Sequence, residues 1–176
     1  LSYHEAVPGH HLDGATSVDR DVPMLVKALW SNTSGEGWAL YAERLASEMG
    51  MYADDPYSDL GRLQAELHRA VRLVVDTGMH AKKWSREQAI AYMVETEGLD
   101  EATSTSEIER YVVWPGQALG YKLGQLKILA LREEAMKALG DSFDIRDFNQ
   151  QVLDVASSPL PYIERTTRDW IAASSN

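Results

Sequence analysis

Ser58-Asp-Leu-Gly-Arg-Leu-Gln-Ala-Glu-Leu-His-Arg-Ala-Val-Arg-Leu-Val-Val-Asp-Thr77 places Leu60, Leu63, Leu67, Val71, Val74 and Val75 three and four residues apart. That spacing winds onto one side of a 3.6-residue helix and never alternates as a strand would. The stretch predicts a long amphipathic helix ending at Gly78, with the six apolar residues as its core face. Working outward, Trp38, Leu40, Tyr41, Leu45 and Met49 form a second helical stripe that stops at Gly50. Ser85-Arg-Glu-Gln88 reads as a capping box opening a helix to about Glu97, and Ser106 to Glu109 repeats that spacing. A helix from Pro115-Gly116 to Gly140-Asp141 would bury Leu119, Leu123, Leu126, Leu129 or Ala130, and Leu139. Two more helices are expected over about Ile145 to Ala156 and Leu160 to Ala173. No strand, repeat or long linker interrupts this pattern. Residues 1–176 therefore read as one all-α unit of six to eight helices.

Composition bounds what such a unit does. The chain has 176 residues, 44% of them apolar, enough for a single core. A net charge of −10 argues against nucleic acid or an anionic membrane surface as a partner. Apolar runs such as Leu73-Val74-Val75 are far short of the roughly 20 residues that span a bilayer. With no cysteine, neither disulfides nor thiolate metal ligands are available, so a bound metal must rest on His and carboxylate groups. The chain starts at Leu1 with no Met-led start, signal peptide or lipobox before its first motif, so it is expected to begin inside a larger protein whose N-terminal remainder completes the core.

The first motif carries the chemistry. Three of the five histidines fall within His4-Glu5-Ala-Val-Pro-Gly-His10-His11, and a glutamate block, Glu36-Gly-Trp-Ala-Leu-Tyr-Ala-Glu43, follows. A catalytic zinc ion takes three N or O ligands and keeps one position open. His4, Glu36 and one of His10 and His11 meet that count. In an HExxH helix the two histidines are about 40° apart around the axis and about 6 Å along it. Here a straight helix would put His10 about 120° away from His4, and His11 about 10.5 Å beyond it. Pro8, which cannot donate to the His4 carbonyl, and Gly9, which tolerates unusual dihedrals, predict an interrupted helix that brings a second histidine inward. Glu5, next to a ligand, is placed to act as general base. Asp76 and His80, four apart, are candidates either to orient a zinc histidine or to pair at a helix end. Arg110 is a candidate for a substrate carboxylate, and His68 reads as structural.

These blocks, together with Asp76-Thr-Gly-Met-His80 and Pro115-Gly-Gln-Ala-Leu-Gly-Tyr121-Lys-Leu-Gly, resemble the bacterial domain-of-unknown-function family numbered 885. That family is similar to the helical gluzincin metallopeptidases, which include thimet oligopeptidase, angiotensin-converting enzyme and the Taq-type carboxypeptidases. The resemblance implies a multi-helix catalytic half, the C-terminal part of a larger helical protein, holding one zinc ion. His4 matches the first histidine, Glu5 the base, His10 the second histidine with His11 as its alternative, and Glu36 the distal glutamate. Two more residues separate the histidines than in HExxH. Glu43 would then support a ligand, and Tyr121 or Tyr111 would steady an oxyanion, as a Tyr or His does in the related peptidases. The expected reaction is hydrolysis of peptides or small amides by an activated water. The alternatives are a metal-binding or structural helical domain without activity, and a hydrolase of a non-peptide amide or ester. The compartment stays open, the resemblance admitting an extracytoplasmic or lipoprotein parent.

Overall fold

Missing side chains decide how the two central helices meet. A Cβ on Gly37 would lie 2.4 Å from Gly124 Cα, and one on Gly124 would lie 2.0 Å from Thr33 O. Only glycine at both positions lets the backbones approach that closely. The computed structural model in which this contact is seen describes residues 1–20, 24–156 and 158–175. Among these residues the chain is all-α, with ten α-helices, two short 3-10 turns and no strand. In chain order the helices are α1 (Ser2–Glu5), α2 (His10–Asp19), α3 (Met24–Ala28), α4 (Asn32–Glu48), α5 (Pro56–Lys82), α6 (Arg86–Glu97), α7 (Glu101–Val113), α8 (Gly120–Leu139), α9 (Ile145–Asp154) and α10 (Leu160–Ser174). The count exceeds the expected six to eight because periodicity does not resolve helices as short as α1 and α3.

Two hydrophobic clusters hold the helices together. Trp38 and Tyr41 of α4 pack with Ile128, Leu131 and Ala135 of α8, Phe148 and Val152 of α9, and Ile163 and Ile171 of α10. The second cluster joins Val71 and Val75 of α5 to Ala89, Ile90 and Met93 of α6, Ile108 and Tyr111 of α7, and Ala118. α4 and α8 lie centrally, and α4 carries the glutamate block. No helix among the described residues is long and apolar enough to cross a membrane.

The helix boundaries follow local chemistry. The Ser85 side chain accepts from Gln88 N and the Gln88 side chain accepts from Ser85 N, so the expected capping box opens α6. Gly50, at φ +80, follows α4 as expected. α7 departs from expectation: Asp100, whose carboxylate accepts from Thr103 N at 2.9 Å, is its cap, and Ser106 lies inside the helix. Gly98 ends α6 at φ +70, and the first capping side chain after it takes the orphan N–H groups. Gly78 likewise does not end α5. The indole of Trp84 packs on it, 2.6 Å from where a Cβ would stand, and the helix runs on to Lys82, closing through left-handed Lys83.

Two predicted core faces are corrected. On α5, Val71 and Val75 are buried, but Leu60, Leu63, Leu67 and Val74 are 53, 49, 42 and 37% exposed. α6, α7 and the 3-10 turn cover only the C-terminal part of the stripe. On α8, Leu123 and Leu126 are 42 and 48% exposed, and the buried face is Gly120, Gly124, Gln125, Ile128, Leu131 and Ala135. Close approach to α4 requires the small residues, so the helix turns Gly120 and Gly124 inward and leaves Leu123 and Leu126 outside.

Candidate metal centre

The histidine motif folds as a broken helix. α1 ends at Glu5, the Val7–Pro8 bond is cis, and α2 starts at His10. A Cβ on Gly9 would stand 1.9 Å from His4 O, so glycine is required where the chain doubles back. Trp38 Nε1 donates to Pro8 O at 2.9 Å, fastening the break to α4.

This turn brings both imidazoles to Glu36. His4 Nε2 is 3.4 Å and His10 Nε2 3.2 Å from Glu36 Oε2, and the two rings meet edge to face at 4.8 Å. One ligand atom from each of His4, His10 and Glu36 lies within 4.8 Å of the others. Ligands about 2.0–2.1 Å from a tetrahedral zinc ion stand roughly 3.3–3.4 Å apart, so the His–Glu separations match an edge of that tetrahedron. Two imidazoles and a carboxylate are a donor set that zinc accepts. His11 is exposed and outside the trio.

Glu43, about two helical turns beyond Glu36 on α4, is buried beneath His4. Its Oε1 accepts from His4 Nδ1 at 2.8 Å. A carboxylate only accepts, so Nδ1 carries the proton and a neutral His4 keeps its lone pair on Nε2, toward Glu36 and His10. Carboxylates that orient metal-binding histidines are typically worth 10–100-fold in metal affinity. Glu43→Ala is accordingly expected to weaken zinc binding by about 10–100-fold, measured by competition with a chromogenic chelator. Unchanged affinity would remove Glu43 from the site.

The electrostatics is that of a histidine between two carboxylates. Burial works against the His4 imidazolium, but hydrogen bonds to Glu36 and Glu43 outweigh it and raise His4 to about 8. Burial likewise works against ionised Glu36, yet hydrogen bonds from His10, His4 and Tyr121 hold it at about 2. Asp13, on the first turns of α2, is buried and pushed up by burial, with Arg20 bound to it at 3.1 Å opposing that rise. His10 Nδ1 is buried without a hydrogen-bond partner.

Tyr121 completes the wall. Its ring stacks on His4 at 6.2 Å and 19°. Gln117 Nε2 donates to its hydroxyl at 3.3 Å, and the phenol itself donates toward Glu36. Gln117 is itself held by Asn32 and by Arg72 Nη2, whose bond to Gln117 Oε1 is 2.9 Å. Tyr111 is placed elsewhere. Its hydroxyl donates to Glu107 within the second cluster, and burial and that carboxylate both push it up. Glu5 follows His4 directly and is exposed.

The remaining expected residues serve other contacts. Asp76 accepts from Gly116 N at 3.0 Å and from His80 Nδ1 at 3.1 Å, so the pair fixes the turn leading to Gln117 and α8. Arg110 lies at the surface, 3.2 Å from Glu107 and over the Tyr111 ring. His68 donates to Glu97 at 2.8 Å. Sequence reading passed over Arg69 and Arg72, whose guanidinium carbons lie 4.7 and 4.3 Å from the Tyr121 ring centre. Their signal was two arginines three apart inside an otherwise apolar stripe. The groove lined by Arg44, Glu48, Leu126, Arg132 and Met136 contains none of the trio.

A broken-helix pair of histidines facing a glutamate on a neighbouring helix defines a helical candidate metal centre. The chain belongs to the family described as "Bacterial protein of unknown function (DUF885)", whose model matches residues 1–166. Among solved structures it is similar to "the putative lipoprotein from Colwellia psychrerythraea", with 54% identity over 98% of this chain and a TM-score of 0.94. It is also similar to "a putative lipoprotein of unknown function from Shewanella oneidensis", with 28% identity over 94% of this chain and a TM-score of 0.87. The chain spans 30% of the length of each. A comparison with curated proteins returned no match.

Proposed function

We propose that this chain is the metal-binding part of a zinc metallopeptidase of the helical gluzincin kind, carried by a lipoprotein parent. The supporting observation is the convergence of ligand atoms from His4, His10 and Glu36 within 4.8 Å of one another, with Glu43 setting the His4 tautomer. Those three residues would hold the ion. The chemistry a zinc ion supplies when bound is Lewis acidity toward the scissile carbonyl and acidification of the attacking water. Glu5, next to a ligand, takes the water's proton and returns it to the leaving amine. The Tyr121 phenol, its oxygen already engaged by Gln117, donates to the oxyanion that develops on the carbonyl. In this reading the exposed stripe Leu60, Leu63, Leu67 and Val74 packs against the rest of the parent, since the two solved relatives are much longer than this chain.

The test is a defined peptide mixture incubated with the zinc-loaded complete protein and read by mass spectrometry. Peptide bonds are expected to be cut, a chelator to stop the cutting and added zinc to restore it. A zinc-replete protein that cleaves no peptide would defeat the proposal. Turnover of small amides or esters alone would move the activity to a non-peptide substrate.

A further inference from the structure

Arg69 and Arg72 bring two positive charges to one aromatic ring, and their surroundings do not balance them. Arg72 is 1% exposed, and its Nε has no hydrogen-bond partner. Arg69 is half-buried with its Nε equally unpartnered. Among the described residues, no carboxylate oxygen lies within the 4.0 Å ion-pair distance of either guanidinium. Burial and the charge of Arg72 hold Arg69 below its ordinary value, against the pull of Tyr121, Glu43 and Glu36. Glu36 and Glu43, the carboxylates of the metal centre, are thus among the acidic groups that act on Arg69 from beyond ion-pair distance.

Those carboxylates have other work. A divalent ion on His4, His10 and Glu36 would offset the charges of Glu36 and Glu43, leaving the arginine pair with two uncompensated positive charges in a partly buried place. Such charges are costly without a counter-ion. The planar guanidinium fork matches a carboxylate better than any other common anion of a peptide. Distance then sets where that carboxylate lies on the substrate. The Tyr121 ring is 6.2 Å from the His4 ring, and Arg69 is 4.7 Å further at most. At about 3.3–3.6 Å per extended residue, those two steps span no more than about three residues.

We propose that Arg69, backed by Arg72, receives a substrate carboxylate within about three residues of the scissile bond, so that the site acts on peptide C-termini. This rests on the metallopeptidase reading and names its substrate class. Arg110, considered for that role from sequence, is occupied by Glu107. Arg69, over the same ring, is the partly exposed member of the pair, and Arg72, fully buried, packs on Tyr121 and donates to Gln117.

The experiment uses the complete, zinc-loaded protein and three peptides of one sequence: a free C-terminal acid, its C-terminal amide, and an amide ending in Glu. Binding is measured calorimetrically in a Glu5→Gln background, and KM and kcat in the active protein. The free acid is expected to bind about tenfold more tightly than the amide, as a charge-assisted hydrogen-bonded contact requires. Arg69→Met should bring the acid down to the amide, raising KM with little change in kcat and leaving zinc content unaltered. Arg69→Lys, which keeps the charge but not the fork, should recover part of the preference. If the Glu-ending amide matches the acid, a side chain supplies the carboxylate and the restriction to peptide C-termini is overturned. Equal binding of all three peptides, or a preference that survives Arg69→Met in a folded, zinc-replete protein, would overturn the proposal. Cleavage of acid and amide at the same KM removes this inference alone. Absence of both zinc and cleavage removes the metallopeptidase reading and this inference with it.

Discussion

Glu5→Gln is expected to cut peptide hydrolysis by roughly 10²–10⁴-fold while zinc content stays at the wild-type level. The amide keeps the size of the carboxylate and its hydrogen-bonding reach but cannot take a proton at neutral pH. Glu5 is not one of the three residues whose atoms converge, so the metal has no reason to leave. The pairing of outcomes matters more than the loss alone. A variant that lost both activity and zinc would make Glu5 a contributor to the metal centre, and one that kept both would remove it from the chemistry. Steady-state kcat/KM and elemental analysis on the same preparation separate these cases.

Gly124→Val is expected to destabilise the fold by about 3 kcal/mol or more and to lower zinc binding with it. The added Cβ would stand 2.0 Å from Thr33 O and 2.6 Å from Gly37 Cα, both of them backbone atoms that no rotamer change relieves. α4 and α8 must then separate. α4 carries Glu36 beside Gly37, and α8 carries Tyr121, so separation pulls apart two walls of the site. Gly61→Ala is the control, because nothing lies within 4 Å of its added Cβ. It should stabilise α5 by about 0.5–1 kcal/mol. Denaturant midpoints and zinc titration of both variants decide the matter, and a Gly124→Val protein of wild-type stability would show that the helix contact is looser than its atoms indicate.

The residues that carried the reading of the fold were those whose signal is local. Ser85 and Gln88 lie three apart on one chain segment, and their reciprocal hydrogen bonds need nothing from the rest of the molecule. Pro8 and Gly9 announced a break between the histidines for the same reason. What failed was information held by neighbours. The Leu60 to Val75 stripe is helical as its period requires, yet periodicity cannot say which layer meets which part of it. On α8 the leucines drew attention, whereas the face that packs is chosen by glycines, since close helix approach depends on side chains that are missing.

The site was legible in the same unequal way. His4, His10, Glu36 and Glu43 form dense blocks of unusual composition, and the structure brings them together. Tyr111 and Tyr121 look alike in sequence, and only the fold sends one hydroxyl to Glu107 and sets the other ring on His4. Arg69 and Arg72 were hidden because the apolar residues around them define a core helix. Their meaning comes from Tyr121, which is distant in sequence and adjacent in space.

Metal content per chain, measured by elemental analysis on the complete protein and on its His4→Ala and Glu36→Ala variants, tests the metal centre most directly. About one zinc per chain in the parent, lost from both variants, is the expected result. No metal in the parent after zinc is supplied, or zinc that remains in both variants, would contradict it.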